Sequence, residues 1–134
     1  MTTENKVKKY DTLAIKSNDM ALYSELFSSM LDMEYTEREG SYLGEHNTFD
    51  FDNNGKIDII QNIEGEEQYD EDLKDYGLYV HVSNIVEQDK FIKEALKNKD
   101  VTHVSRHVYS SDKIYTYKFD DESDEFNLLS EELR

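Results

Sequence analysis

A shift of 65 residues lays Leu13–Leu31, LAIKSNDMALYSELFSSML, on Leu78–Leu96, LYVHVSNIVEQDKFIKEAL, and the apolar positions coincide. Leu13 and Ile15 fall on Leu78 and Val80, while Leu26, Phe27, Met30 and Leu31 fall on Phe91, Ile92, Ala95 and Leu96. Each copy opens with the period-2 alternation of a strand that buries one face, then turns polar, then adopts the apolar spacing of an amphipathic helix. A repeated strand-then-helix unit constrains the fold more than any single motif does, because each copy must bury its apolar face against the other. In the second copy, Asn84 with Glu87 three residues later has the spacing of a capping box at the helix start.

Strand-like segments follow each helix: about 34–39, 42–52 and 56–63 in the first half, and 101–110, 113–120 and 125–131 in the second. Asn53-Asn54-Gly55 is a strong hairpin signal between the last two segments of the first half. The unit is therefore strand, helix and three strands, used twice, over about 7–63 and 76–131. The acidic stretch 64–75 has no period and is expected to connect the two copies within a single domain spanning 1–134.

Composition sets outer limits. The formal charge is -16, from 31 Asp plus Glu against 15 Lys plus Arg, which repels nucleic acid and attracts cations. With no cysteine, disulfides, zinc–thiolate sites and thiol nucleophiles are excluded. The apolar runs are short and the start MTTENKVKKY lacks an apolar leader core, so the expected location is cytoplasmic, with no membrane partner. Ten Tyr and six Phe, placed periodically, argue for a packed core in spite of the acidity.

The paired modules, the strand-to-helix entry VHVSNIVE and the closing DDESDEFNLLSEE resemble the vicinal oxygen chelate superfamily, the fold of glyoxalase I, extradiol dioxygenases and bleomycin-resistance proteins. The resemblance covers about Val7 to Glu131. It implies an α+β fold in which two βαβββ modules form a curved mixed sheet around a cleft, with helices on the outer face, in a chain that is commonly a homodimer. It also implies metal-ligand positions on the first and last strand of each module, here Thr12, Asp58, Gly77 and Asn127. Such a site usually holds His and Glu, suited to a divalent Lewis-acid metal. Of these four, Asp58 alone offers an anionic ligand, so no metal or other cofactor is expected.

On the same resemblance Tyr79 and His81 line the cleft beside Gly77, while Leu78, Val80 and Val82 face the helix. Tyr115 and Tyr117 are expected to supply a further aromatic wall for a planar or cationic ligand. His103 and His107 sit in a strand-like run, VTHVSRHVYS. There their imidazoles would share one solvated face about 13 Å apart, too far for one ion. The stretch DFDNNGKIDIIQ matches a calcium loop at Asp50, Asp52, Asn54, Gly55 and Asp58, with Gln61 where a bidentate Glu is needed. An Asn-Gly hairpin is the competing reading.

Three functions fit these features. The first is a metal-free protein that binds or sequesters a small, cationic ligand. The second is a divalent-metal enzyme of lyase, isomerase or dioxygenase type with atypical ligands. The third is an acidic interaction or inhibitory module for a basic protein partner. No nucleophile elbow or phosphate-cradling glycine loop is present.

Overall fold

The computed structural model describes residues 7–40, 44–52, 54–61, 63–64, 67–68, 76–120 and 122–133. β1 (Lys8–Ile15) leads through α1 (Met20–Leu31) to β2 (Thr36–Gly40), β3 (Gly44–Asp50) and β4 (Lys56–Gln61). A small hairpin of β5 (Ile63–Glu64) and β6 (Glu67–Gln68) follows, lying largely in the stretch expected to connect the copies; 65–66 and 69–75 of that stretch lie outside the described residues. β7 (Leu78–Ser83), α2 (Gln88–Ala95), β8 (Val101–Tyr109), β9 (Lys113–Asp120) and β10 (Glu125–Leu133) complete the chain. The protein is thus α+β, and the order of elements repeats as the apolar pattern predicts. Among the described residues, no helix is long and apolar enough to cross a membrane.

One eight-stranded sheet runs through both copies in the order β10-β9-β8-β1-β7-β4-β3-β2. Each pairing in it is antiparallel, so the sheet is not mixed as expected. The reason lies in the crossovers. α2 carries the chain from β7 to β8 across β1, and the path through α1, β2 and β3 brings β4 to the far side of β7. Strands that would be parallel neighbours are each separated by one antiparallel strand.

The central order β8-β1-β7-β4, with α1 and α2, is therefore that of a split βαβ, ferredoxin-like plait. The hairpin β2–β3 widens it on one side and β9–β10 on the other. The two copies do not occupy equivalent places: β7 is flanked by the last strand of the first copy, whereas β1 is flanked by the first post-helical strand of the second.

Both helices lie on one face of the sheet. Asp19 caps α1 by accepting the Leu22 N–H at 3.0 Å, and the helix ends at Asp32, whose φ is 54°. α1 buries Tyr23, Ser24 and Phe27, while α2 buries Gln88, Phe91, Ile92 and Ala95. The Phe27 and Phe91 rings meet edge to face at 5.2 Å and join the helices. Beneath them Leu13, Ile15, Phe49, Ile57, Ile59, Leu78, Val80 and Val82 are fully buried. Each such side chain contributes about 1.5–3 kcal/mol relative to an exposed one.

The expected capping box at α2 does not form. Asn84 has φ 52° and its side chain accepts the Lys9 N–H of β1, extending the central pairing. Glu87 precedes the helix without a side-chain cap, and Gln88 instead accepts the Ile85 N–H through Oε1 at 3.0 Å.

Gly77 is buried just before β7, where an added Cβ would collide with the Asn18 side chain and the Ser17 carbonyl. A close approach of the β1–α1 turn therefore requires glycine here. Gly77→Ala is expected to destabilise the fold by about 1–3 kcal/mol through overpacking. Urea denaturation of the variant, read by its midpoint at unchanged slope, checks this.

Candidate functional site

The register across the sheet centre places Thr48, Asp58, His81 and Thr12 side by side on β3, β4, β7 and β1. Their neighbours in sequence, Phe49, Ile57, Ile59, Val80, Val82 and Leu13, point to α1 and α2, so this row lies on the opposite face of the sheet. Thr48 Oγ1 donates to Asp58 Oδ1 at 2.6 Å, and both residues are buried. Lys56 Nζ approaches Asp58 Oδ2 at 3.8 Å from the rim. One step along the strand, Tyr79 pairs with Ala14 and Ile60, and its ring meets His81 edge to face at 6.2 Å.

His81 remains accessible to solvent. Partial desolvation over the sheet still pulls its pKa below the usual 6.5, and the nearby Asp58 charge opposes that pull. The row thus presents an anchored carboxylate, an accessible imidazole biased toward its neutral form, and a tyrosine.

Of the eight residues expected in the cleft, Thr12, Asp58, Tyr79 and His81 come together here. Gly77 does not line the site, since its missing side chain makes room for Ser17 and Asn18. Tyr115 and Tyr117 stand opposite Val108 and Arg106, and Arg106 faces the helix side, so both tyrosines are on the wrong face for this site. Asn127 pairs with Lys118 at the sheet edge, with β1, β8 and β9 between its strand and β7, and its amide donates to Asp120 at 3.4 Å.

The stretch from Asp50 to Gln61 is a hairpin rather than a calcium loop. The turn closes through Phe51 N–H to the Gly55 carbonyl at 2.9 Å and Asn54 N–H to the Phe51 carbonyl at 3.1 Å. Asp50 is held by Arg38 at 3.0 Å and Asp58 by Thr48, each on the strands rather than in the turn. Among the described residues, no three His, Asp or Glu side chains gather closely enough to hold a metal ion.

A second polar cluster, on the helix face, escaped the sequence reading. Asp11 is buried at the centre. It accepts from Arg106 Nε at 2.9 and 3.1 Å, from Arg106 Nη2 at 2.9 Å and from Gln88 Nε2 at 2.8 Å. His103 Nε2 lies 2.8 Å from Asp11 Oδ1. Because the Phe119 N–H donates to His103 Nδ1 at 3.1 Å, that nitrogen is the acceptor, and Nε2 carries the proton given to Asp11. Arg106 also reaches Asp89 at 2.7 Å and stacks under the Phe126 ring at 3.5 Å from its centroid.

His103 is therefore buried, 3% exposed, and not on a solvated face. The β1–β8 register shifts at Thr12/Leu13, a bulge that puts one extra residue between His103 and Ser105. His103 consequently faces the helices while His107, opposite Tyr10, faces the other way. Both nitrogens of His103 are occupied, so this Asp–His pair has no base to offer a substrate.

Compared with known proteins, the chain matches no family model, no curated protein and no solved structure. The class is that of an α+β protein with an extended split-βαβ sheet, a buried ionic cluster on one face and, on the other, a polar row in which His81 is exposed.

Burial alone would raise the pKa of Asp11, but hydrogen bonds from His103 and Arg106, the Arg106 charge and Gln88 together hold it below the usual carboxylate value. A depressed folded pKa contributes stability that is present above the unfolded value, about 3.9, and lost as pH falls through the folded one. Asp11→Ala is expected to cost about 3–5 kcal/mol by leaving Arg106 buried without its main partner. Denaturant melts from pH 7 down to about pH 2 should show the gap between wild type and Asp11→Ala narrowing at the acid end.

Proposed function

We propose that this protein binds a small cationic ligand on the face of its sheet away from α1 and α2, without a metal, and performs no covalent chemistry on it. The observation that carries this reading is the Thr48–Asp58–His81–Thr12 row. A carboxylate already fixed by a hydroxyl at 2.6 Å loses little freedom when it pairs with a cation. Tyr79 and His81 beside it offer ring faces for stacking or cation–π contact. Lys56, 3.8 Å from Asp58 and half exposed, is the resident cation that an entering ligand would displace. The charge of -16 raises the local concentration of such ligands.

The reading agrees in kind with the glyoxalase and bleomycin-resistance resemblance, whose support is the order of elements along the chain. It favours binding over catalysis because Asp58, buried and fixed by Thr48, and the exposed His81 stand among Thr12, Thr48 and Tyr79, with no activated nucleophile beside them among the described residues.

Calorimetric titration of the full chain with planar organic cations, a bleomycin-type glycopeptide among them, is expected to give saturable binding at pH 7. Asp58→Asn should weaken it about tenfold, a loss of about 1.4 kcal/mol. Affinity should also fall as pH drops from about 7 to about 5, because protonated His81 repels a cation, and His81→Gln should remove that pH step. Binding unaffected by either substitution, or none with any cation, would sink the proposal.

A further inference from the structure

The two edges of the sheet are built differently. β2 is five residues long, carries Glu37, Arg38 and Glu39, and ties Arg38 to Asp50 at 3.0 Å. A short edge with charges of both signs discourages the addition of another strand. β10 is nine residues long, EFNLLSEEL, with no Pro, Lys or Arg, and Leu128, Leu129 and Leu133 are 51%, 62% and 80% exposed. Its inner side pairs with β9 along its length, while its outer side pairs with no strand among the described residues. A register shift between Leu128 and Ser130 leaves Leu129 outside the β9 ladder and turned to solvent.

The surface beside this edge is apolar as well. On the helix side of the sheet, half-buried Tyr115 and Tyr117 continue into Leu128 and Leu133. The charges along the edge are of one sign: Glu125, Glu131 and Glu132, with Glu131 held by Lys113 at 2.6 Å.

We propose that β10 is a docking edge for an extended basic segment of a partner protein, added as a further antiparallel strand by β-augmentation. Backbone hydrogen bonds to the outer edge would supply register-independent affinity, and alternate apolar side chains would cover Leu128 and Leu129. Lys or Arg at the intervening positions would meet Glu125 and Glu132. Charge selects this occupant over a second copy of the chain. A copy would bring its own three glutamates to the same edge on a molecule that also carries -16, whereas a basic segment relieves that field.

The test is an NMR titration of the 15N-labelled full chain with a synthetic peptide alternating Val and Lys, against a control peptide alternating Val and Glu. The expected result is saturable shift changes concentrated on β10, slowed amide exchange there, and binding that weakens severalfold between about 50 and about 500 mM salt. Leu129→Lys, at an exposed position, should weaken binding about tenfold without changing the thermal midpoint. The proposal is overturned if β10 is unperturbed, if both peptides bind alike, or if changes centre on β2 or the helices. It is equally overturned if β10 amides are already protected in a dimer of the free chain, as sedimentation would show.

Discussion

The buried carboxylate of Asp11 is the interaction on which the rest of the architecture depends. Its two oxygens gather Arg106 and His103 of β8 and Gln88 of α2, and Asp11 itself belongs to a strand at the sheet centre. The contacts then spread outward. His103 takes the Phe119 N–H of β9, and Arg106 lies under Phe126 of β10. One ion cluster thereby ties the second half of the sheet and its helix to the first strand of the chain. Stability alone does not account for it, since apolar residues of similar volume would stabilise as well or better. The cluster does set the β1–β8 register, because only a bulge lets His103 and Arg106, three residues apart, reach the same carboxylate from the same face.

That register matters because of how the chain is threaded. β1 sits between β7 and β8, which α2 joins, so the crossover must pass over a strand laid down at the start of the chain. A slip of one residue between β1 and β8 would take His103 and Arg106 off the face that Asp11, Leu13 and Ile15 share.

Much of the local structure was legible in the sequence. Alternation at Leu13, Ile15, Leu78, Val80 and Val82 marked the core face of the two central strands, and Asn54-Gly55 marked the hairpin that the calcium-loop pattern imitated. The strand order was not legible, because period-2 alternation says which face is buried and nothing about which strand lies alongside. Asp11 and Arg106 were hidden for a related reason. Asp11 shares the face of Leu13 and Ile15, but its partner Arg106 reaches that face only through a bulge opposite Thr12 and Leu13, and an extra residue leaves the composition of VTHVSRHVY unchanged while reversing the face of every residue beyond it. Tyr115 and Tyr117 were expected in the cleft, but the inward face of their strand was not legible, because it follows from pairing with β8 past that bulge. Asn84 had the spacing of a capping box, but a tertiary partner, the Lys9 backbone, claimed its side chain.

The protein contains the same chemical pair twice, and solvent decides what each can do. Asp11 and His103 form a carboxylate–imidazole contact of 2.8 Å, but they lie under α2, and the second imidazole nitrogen is closed by a backbone amide. No ligand can reach either group without opening the sheet. Asp58 and His81 are cross-strand neighbours on the opposite face. There the carboxylate is fixed by Thr48 and the imidazole stays open to water. The sealed pair has every nitrogen and oxygen it offers hydrogen-bonded within the fold and serves the register. The second pair sets an exposed imidazole beside a buried, hydrogen-bonded carboxylate. The strands place one pair on each side, so a buried imidazole and an exposed one are separated by the thickness of a single sheet.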